Sequence, residues 1–327
     1  MSDSLLLTAS DFLPLRDDLT AMDGAIDAVE RGTLAHHQGK GIQGSFFYRA
    51  PGADANNSFR LSIAAGDGIP AGLRIFGNPP NTRSYLLLDG ETLHTLALMD
   101  YGVLNSMRVG ATGGLVARTL APDGARVLAM IGSGWQAHTQ VQAVRRALPG
   151  LDLIRVFSRT PAHREAFAQR MTEWTDIRVE AVDSAEAAVR DADIVDIVAP
   201  GHFDKRELIF DGDWVKPGAL VIAMAPNQTD AKLVQRSRVV SATVEGIFSG
   251  ESRWPPFGQL IESGQFTESD LMTLGSVIVD GVNPRHDPDD IVIYELENTY
   301  VHDLFVAAWG YEWASERGLG MKFDLSA

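Results

Sequence analysis

The chain has no cysteine, which excludes disulfides, thiolate nucleophiles and cysteine-ligated zinc. It also has no apolar run approaching a membrane span. Its first residues, Met1-Ser2-Asp3-Ser4-Leu5-Leu6-Leu7, lack the basic stretch and long apolar core of a secretion signal. The expectation is a cytoplasmic protein with no membrane partner. Positive charge is scarce as well: 28 Lys and Arg face 43 Asp and Glu, for a formal net charge of −15. Nucleic acid and anionic membranes reward clustered cations, so neither is expected as a partner. A cleft on such a chain can still be locally basic, because salt screens distant charges more than near ones. No H-E-x-x-H or comparable spacing points to a metal. His36 and His37 are adjacent and would not share a helix face. Ser133 lies in a glycine turn without a G-x-S-x-G frame, which argues against a hydrolase nucleophile.

What is present is material for a core. The 327 residues are 45% hydrophobic, enough for one large domain or two moderate ones. The most informative stretch is Arg126-Val127-Leu128-Ala129-Met130-Ile131 running into Gly132-Ser133-Gly134-Trp135-Gln136-Ala137. An apolar strand that breaks into G-x-G-x-x-A and becomes a helix presents a phosphate site. Gly132 can take the tight turn, Gly134 keeps a Cβ away from a pyrophosphate, and Ala137 lets helix and strand pack closely. A pyrophosphate would then sit on amides at a helix N-terminus, with Ser133, Trp135 and Gln136 in the same bend. Ala137, Val141, Val144 and Leu148 form one apolar helical stripe, and Pro149-Gly150 stops it.

The next strand, Leu153-Ile154-Arg155-Val156-Phe157, ends where an NAD-preferring site usually carries an acid for the ribose 2′-hydroxyl. Here Ser158-Arg159-Thr160-Pro161 follows. Two hydroxyls and a guanidinium suit a 2′-phosphate, so NADP(H) is the preferred cofactor and NAD(H) remains possible. Thr160 and Pro161 also read as the N-cap and first residue of the next helix, with Arg159 solvated, and both readings can hold together.

Strands alternate with helices over residues 125–245. A third strand is expected at 177–182, a fourth at 194–198 and a fifth at 219–223, with Asp183 and Glu186 as a capping box before the helix between the third and fourth. This is a doubly wound parallel sheet. Before it, Leu19, Met22, Ile26 and Val29 suggest a helix, and 45–48, 73–76 and 85–88 suggest strands. Val301, Leu304, Phe305, Ala308 and Tyr311 form a last helical stripe closed by Gly318. The expected fold is therefore α/β, a Rossmann-type domain at 121–299 inserted into an α+β domain made of 1–120 and 300–327. Residues 246–264 read as an irregular excursion.

The order of motifs resembles the ornithine cyclodeaminase and mu-crystallin family across essentially the whole chain. The resemblance rests on Gly72-Leu73-Arg74-Ile75-Phe76 followed by Pro80-Asn81-Thr82, then Met107-Arg108-Val109-Gly110-Ala111-Thr112, then the Gly132 to Ala137 turn, and finally residues 300–310. It implies a homodimer in which the first domain supplies the dimer interface and much of the substrate pocket, with a nicotinamide cofactor on the inserted domain. Members include cyclodeaminases, ketimine and cyclic imine reductases, alanine dehydrogenases and opine-type amino acid synthases, and their common intermediate is an imine alpha to a carboxylate.

Carried over by position, Arg49 and Arg108 match the family's carboxylate-binding arginines, with Arg60 competing for the place of Arg49. Ala199 and Met224, at the ends of the fourth and fifth strands, fall among the cofactor positions. Two departures bear on chemistry. The family's pocket lysine falls at Arg74, which can clamp or polarise but is a poor base near neutral pH. The aspartate after the fifth strand falls at Asn227, whose amide cannot accept a proton as a carboxylate does. Asp303, preceded by His302, matches an acidic position on the last helix. It reads either as an acid or base for the reaction or as a helix-surface charge pair. The resemblance thus implies NAD(P)H-dependent reduction of an imine of a small 2-oxo acid, or the reverse oxidation of an amino acid. The catalytic candidates are Arg74, Arg108, Asn227 and Asp303, with Arg49 joining Arg74 and Arg108 as substrate ligands. The alternatives are an ammonia-releasing cyclodeaminase that recycles NAD and a catalytically inactive NADPH-binding protein.

Overall fold

The computed structural model of the chain describes residues 4–49, 58–78, 82–199, 210–224, 228–248, 256–297 and 299–324, with the side chains of Arg49, Ser58 and Asn78 outside the description. It comprises two compact units, Met1–Arg108 with Thr299–Ala327, and Val109–Asn298. The division falls inside one helix, earlier than the 120/121 boundary expected from the sequence.

The first unit carries β1 (Ser4–Leu7), α1 (Ala9–Asp17), α2 (Ala21–His37), β2 (Gly41–Arg49), β3 (Ser58–Gly66), β4 (Ala71–Asn78), β5 (Thr82–Leu88), β6 (Thr95–Asp100) and the start of α3 (Gly102–Leu120). After the second unit the chain closes it with α11 (Tyr300–Glu316) and β15 (Met321–Phe323). The sheet runs β15-β1-β6-β5-β4-β3-β2, antiparallel except for the β1–β6 pair. Because strand side chains alternate, register decides which residues share a face. One face carries Ser62, Arg74, Tyr85 and Met99, aligned across four strands and buried. α11 covers β2, β3 and β5 and packs along α2. That contact is close: a Cβ on Gly24 would lie 2.4 Å from the Trp309 indole nitrogen. The other face carries Ile42, Phe46, Tyr48, Phe59, Ile63, Ile75 and Leu98, all exposed.

The second unit holds β7 (Val127–Ile131), α4 (Trp135–Ala147), β8 (Leu153–Phe157), α5 (Pro161–Thr175), β9 (Arg178–Ala181), α6 (Ala185–Val189), β10 (Ile194–Ile197), β11 (Leu220–Ala223), α7 (Ala231–Gln235), β12 (Ser237–Ser241), α8 (Val244–Phe248), α9 (Phe257–Glu262), β13 (Leu271–Thr273), α10 (Leu274–Val279) and β14 (Ile291–Glu295). All eight strands are parallel, in the order β13-β12-β14-β11-β10-β7-β8-β9. Such a sheet needs helices on both faces, and its strands accordingly read as continuous apolar runs. The order reverses between β7 and β10, the switch point at which open α/β sheets form a crevice.

Two local expectations are corrected. The helix after β9 is capped by Ser184, whose hydroxyl accepts the Ala187 N–H at 3.0 Å, and not by Asp183. Asp183 instead accepts from Arg164 Nη2 at 2.7 Å. Residues 246–264 are less irregular than expected, since α8 and α9 occupy most of the described part. Among the described residues no helix is long and apolar enough to cross a membrane.

The second unit also buries carboxyls. Burial pushes Asp196 and Glu295 well above the usual carboxylate range. Burial raises Glu297 to about 7 although it accepts the Thr243 N–H, which pulls the other way. A group whose folded value lies above its unfolded 4.5 contributes stability that is complete below about 4.5 and lost as pH rises through about 7. Glu297→Gln should therefore flatten the decline in urea-unfolding free energy between about pH 5 and pH 8. An unchanged slope would mean that Glu297 holds no extra proton in the folded state.

Candidate functional site

The first unit gathers charge where its fold is most buried. β4 places Arg74 on the covered sheet face, α3 contributes Arg108 and α11 contributes Asp303, with 6%, 4% and 1% of their surfaces exposed. Arg74 Nη1 donates to Asp303 Oδ2 at 2.6 Å, and Arg108 Nε donates to Oδ1 at 2.8 Å. The Tyr101 hydroxyl donates to the Asp303 carbonyl at 2.9 Å and reaches Oδ1 at 3.3 Å. Taking a guanidinium out of water is costly unless a carboxylate pairs with it, and here one carboxylate serves two. Each arginine fork carries five N–H donors, so Asp303 occupies only part of them. Arg74 Nε is buried with no acceptor among the described residues. The Arg74 guanidinium also lies 5.6 Å over the Tyr300 ring. Such a cluster can hold a carboxylate in a fixed orientation.

The tyrosines and the histidine around the cluster are neutral. Burial, and after it the charge of Asp303, pushes the Tyr85 and Tyr101 phenols well above their ordinary value, so both are hydrogen-bond donors without charge. Burial pushes His302 down to about 3. Its Nε2 meets the Thr33 hydroxyl at 3.0 Å, which makes it a neutral core imidazole tying α11 to α2. The surface-pair reading of Asp303 is thereby overturned: the residue is buried, and its partners are the two arginines and Tyr101.

The other sequence candidates divide. Arg49 ends β2 in register with Ser58, and its side chain lies outside the described residues, as does Asn227 entirely. Arg60 lies 5.8 Å over the Phe47 ring. Sequence reasoning missed Tyr85, Tyr101 and Arg83. The available signal was strand alternation: Arg83 is two residues from Tyr85, which stands directly across from Arg74.

The second unit brings its candidates to the carboxyl edge of the parallel sheet. Gly132, Ser133, Gly134, Trp135 and Gln136 join β7 to α4, Ser158, Arg159 and Thr160 follow β8, Ala199 follows β10, and Met224 follows β11. Gly132 has φ +123°, and a Cβ there would lie 3.0 Å from the Ala199 amide nitrogen, so no other residue fits. A Cβ on Gly134 would meet nothing within 4 Å, which leaves open space over the N-terminus of α4. The Ser133 hydroxyl donates to that of Ser158 at 2.8 Å, linking the first two strand ends. Thr160 is the N-cap of α5 with Pro161 behind it, while Arg159 is exposed. Arg164 is held between the Ser158 carbonyl at 3.1 Å and Asp183. The edge thus offers helix-start amides, hydroxyls and guanidinium groups, the donor set a dinucleotide's phosphates require. Among the described residues no group of three or more His, Asp or Glu could hold a metal ion.

Replacing the shared carboxylate tests the electrostatics. Asp303→Asn leaves two buried guanidiniums without their counter-charge and should lower unfolding free energy by about 3–5 kcal/mol. Denaturant titration reads this directly, and a loss below about 1 kcal/mol would mean that solvent already screens the pair.

Known proteins resemble the chain over most of its length. The chain is 25% identical to a Delta(1)-pyrroline-2-carboxylate reductase of Bacillus cereus over 84% of its length and 87% of the relative's. It is 28% identical to the ketimine reductase mu-crystallin of Mus musculus over 72% of its length and 71% of the relative's. The solved Delta(1)-pyrroline-2-carboxylate reductase of Thermococcus litoralis, in complex with NADH and L-proline, is 25% identical and superposes with a TM-score of 0.83 over 98% of this chain and 100% of that one. The model of the ornithine cyclodeaminase/mu-crystallin family matches residues 70–318, and the chain belongs to that family.

Proposed function

We propose that the protein is a nicotinamide-dependent oxidoreductase that reduces the carbon–nitrogen double bond of an imine beside a carboxylate, or runs the reverse oxidation of an amino acid. The observation that carries this reading is the Arg74–Asp303–Arg108 constellation, two buried guanidiniums locked in place by one carboxylate. One relative is named for reduction of pyrroline-2-carboxylate, an imine beside a carboxylate, and another for reduction of ketimines, which supports it.

A nicotinamide cofactor held by the second unit would supply the hydride for the imine carbon and be oxidised in doing so, while the nitrogen takes a proton to give the amine. The chain's residues bind and orient. Arg74 and Arg108 hold the substrate carboxylate, joined by Arg49, and their forks fix where the adjacent carbon lies. Asp303 sets the direction of both forks. Its two carboxylate oxygens already accept hydrogen bonds from the arginines and Tyr101, so water is the better proton source. By its match to the family's pattern, Asn227 would hydrogen-bond near the reacting nitrogen. Its amide cannot do a carboxylate's proton transfer, which disfavours the ammonia-releasing lyase.

The Gly132 to Gln136 bend would take the pyrophosphate, with Ala199 and Met224 lining the nucleotide edge. Ser158, Arg159 and Thr160 favour NADP(H) over NAD(H), because no acid stands at the end of β8 to repel a 2′-phosphate. The exposed apolar face of β2–β6 is the homodimer interface in this reading. A contiguous patch of Ile42, Phe46, Tyr48, Phe59, Ile63 and Ile75 is more apolar surface than monomers leave in water.

The direct test follows loss of NADPH absorbance against a panel of cyclic imines and of 2-oxo acids mixed with amines. Turnover with net NADPH consumption is expected, and ammonia release without net consumption would favour the lyase. Arg108→Ala should cut kcat/KM by about 100-fold or more and leave NADPH affinity within about threefold; loss of cofactor affinity instead would misplace the substrate arginine. Arg159→Ala should raise the KM for NADPH by roughly 10-fold with little effect on NADH. Phe46→Lys combined with Ile63→Lys should yield monomers in sedimentation velocity. A wild-type monomer would remove the proposed interface.

A further inference from the structure

Arg83 on β5 is a cation that the constellation above does not use. Its register places it across from Phe76 on β4, two residues from Tyr85, hence on the same covered face as Arg74. It is half-buried, its guanidinium lies 5.4 Å over the Phe76 ring, and its Nε is buried with no acceptor among the described residues. Burial first, then the charges of Arg74 and Arg108, act against its own positive charge. Those two arginines are therefore its electrostatic neighbours.

Among the described residues no carboxylate pairs with it. Asp303 already spends both oxygens on Arg74, Arg108 and Tyr101. Asp100 lies close enough to favour the charge on Arg83, yet its Oδ1 accepts the Gly102 N–H at 2.8 Å and it makes no ion pair with Arg83. Tyr85 and Tyr101 are neutral. A third guanidinium in such a place is unfavourable: a buried donor without an acceptor forfeits its hydrogen bond to water, and stacking on Phe76 does not replace that bond. A leucine or methionine would pack against Phe76 without that cost. An arginine kept there has an anion to meet. The substrate's first carboxylate is accounted for by Arg74 and Arg108, so the partner of Arg83 is a second one.

Resting on the reading of this site as an imine reductase, we propose that Arg83 is a specificity residue that binds a second acidic group, and that the substrate class is a four- or five-carbon 2-imino diacid or the matching amino diacid. A planar fork beside an aromatic ring suits a carboxylate, and the remaining N–H groups of Arg74 and Arg108 stay with the carboxylate next to the reacting carbon.

Two measurements on the full-length protein test this. In the first, initial rates with NADPH and ammonia are compared for oxaloacetate and 2-oxoglutarate against pyruvate and 2-oxobutyrate. The wild type should prefer a diacid by about 100-fold in kcat/KM; Arg83→Gln should erase the preference through KM, and Arg83→Lys should restore part of it. In the second, calorimetry measures succinate and glutarate against propionate and butyrate on the NADPH complex, with no turnover required. A diacid should bind at least about 30-fold more tightly than a monoacid to the wild type and lose that advantage in Arg83→Gln. Melting curves and NADPH affinity report whether each variant is folded, and the wild-type comparison stands if Arg83→Gln is not. Equal affinity for diacids and monoacids in the wild type, or an equal loss for both in Arg83→Gln, overturns the proposal. Diacid binding without turnover of any imine would reject the reductase reading and leave the binding assignment in place, whereas imine turnover without diacid preference would reject the assignment alone.

Discussion

One carboxylate shared by two buried guanidiniums is the constraint from which the substrate side of this protein follows. Arg74, Arg108 and Asp303 come from a strand and two helices far apart in sequence, and each would be a liability in the interior without the others. Isolated buried ions cost several kcal/mol apiece. Sharing Asp303 removes that liability while engaging only part of each fork. In the proposed reading the same interaction supports the fold and would present a carboxylate receptor. The residues packed around it serve the same end: Tyr101 holds the Asp303 carbonyl, and the neutral His302 imidazole fixes α11 against α2 through Thr33.

Strand alternation in the first unit sorts the remaining functions. One sheet face is covered by α11 and carries the arginines and buried tyrosines, and the other is apolar and uncovered. A single change of register would exchange the two sets. In the second unit all strands run parallel, so every strand's carboxyl end lies on one edge. Gly132 turns the chain there in a conformation that only glycine adopts without strain, and Gly134 leaves open space over the start of α4. In the proposed reading, recognition of an acidic substrate and recognition of a dinucleotide would rest on separate units with separate physics, ion pairing in a dry interior for one and helix-start amides at a sheet edge for the other.

Much of this was legible in the sequence because it is local. The strand, turn and helix around Gly132 depend on contiguous residue types, and so do β8, α2 and α11, whose stripes match the buried residues. Short edge strands such as β13 and β15, three residues each, carry too few residues to show a period. Asp183 was mistaken for a cap because it precedes a helix and is acidic. What decides its role is Arg164, nineteen positions away in sequence and visible only once α5 folds back. Asp303 was ambiguous for a related reason. Position on a helix does not reveal burial when the helix is apolar on nearly every side, as α11 is. Arg83 draws no notice in the sequence, because it lies just before the strand expected at 85–88 and only the register of β5 places it on the face of Arg74.

The central claim is that the forks of Arg74 and Arg108, held by Asp303, receive the substrate's carboxylate. The most direct measurement is a crystal structure of the protein with NADPH and pyrrole-2-carboxylate, a planar acid that cannot be reduced. The account predicts the carboxylate within hydrogen-bond distance of both guanidiniums, with Asp303 still between them and the pyrophosphate on the amides that open α4. A carboxylate bound elsewhere, with the two arginines satisfied by Asp303 alone, would contradict it.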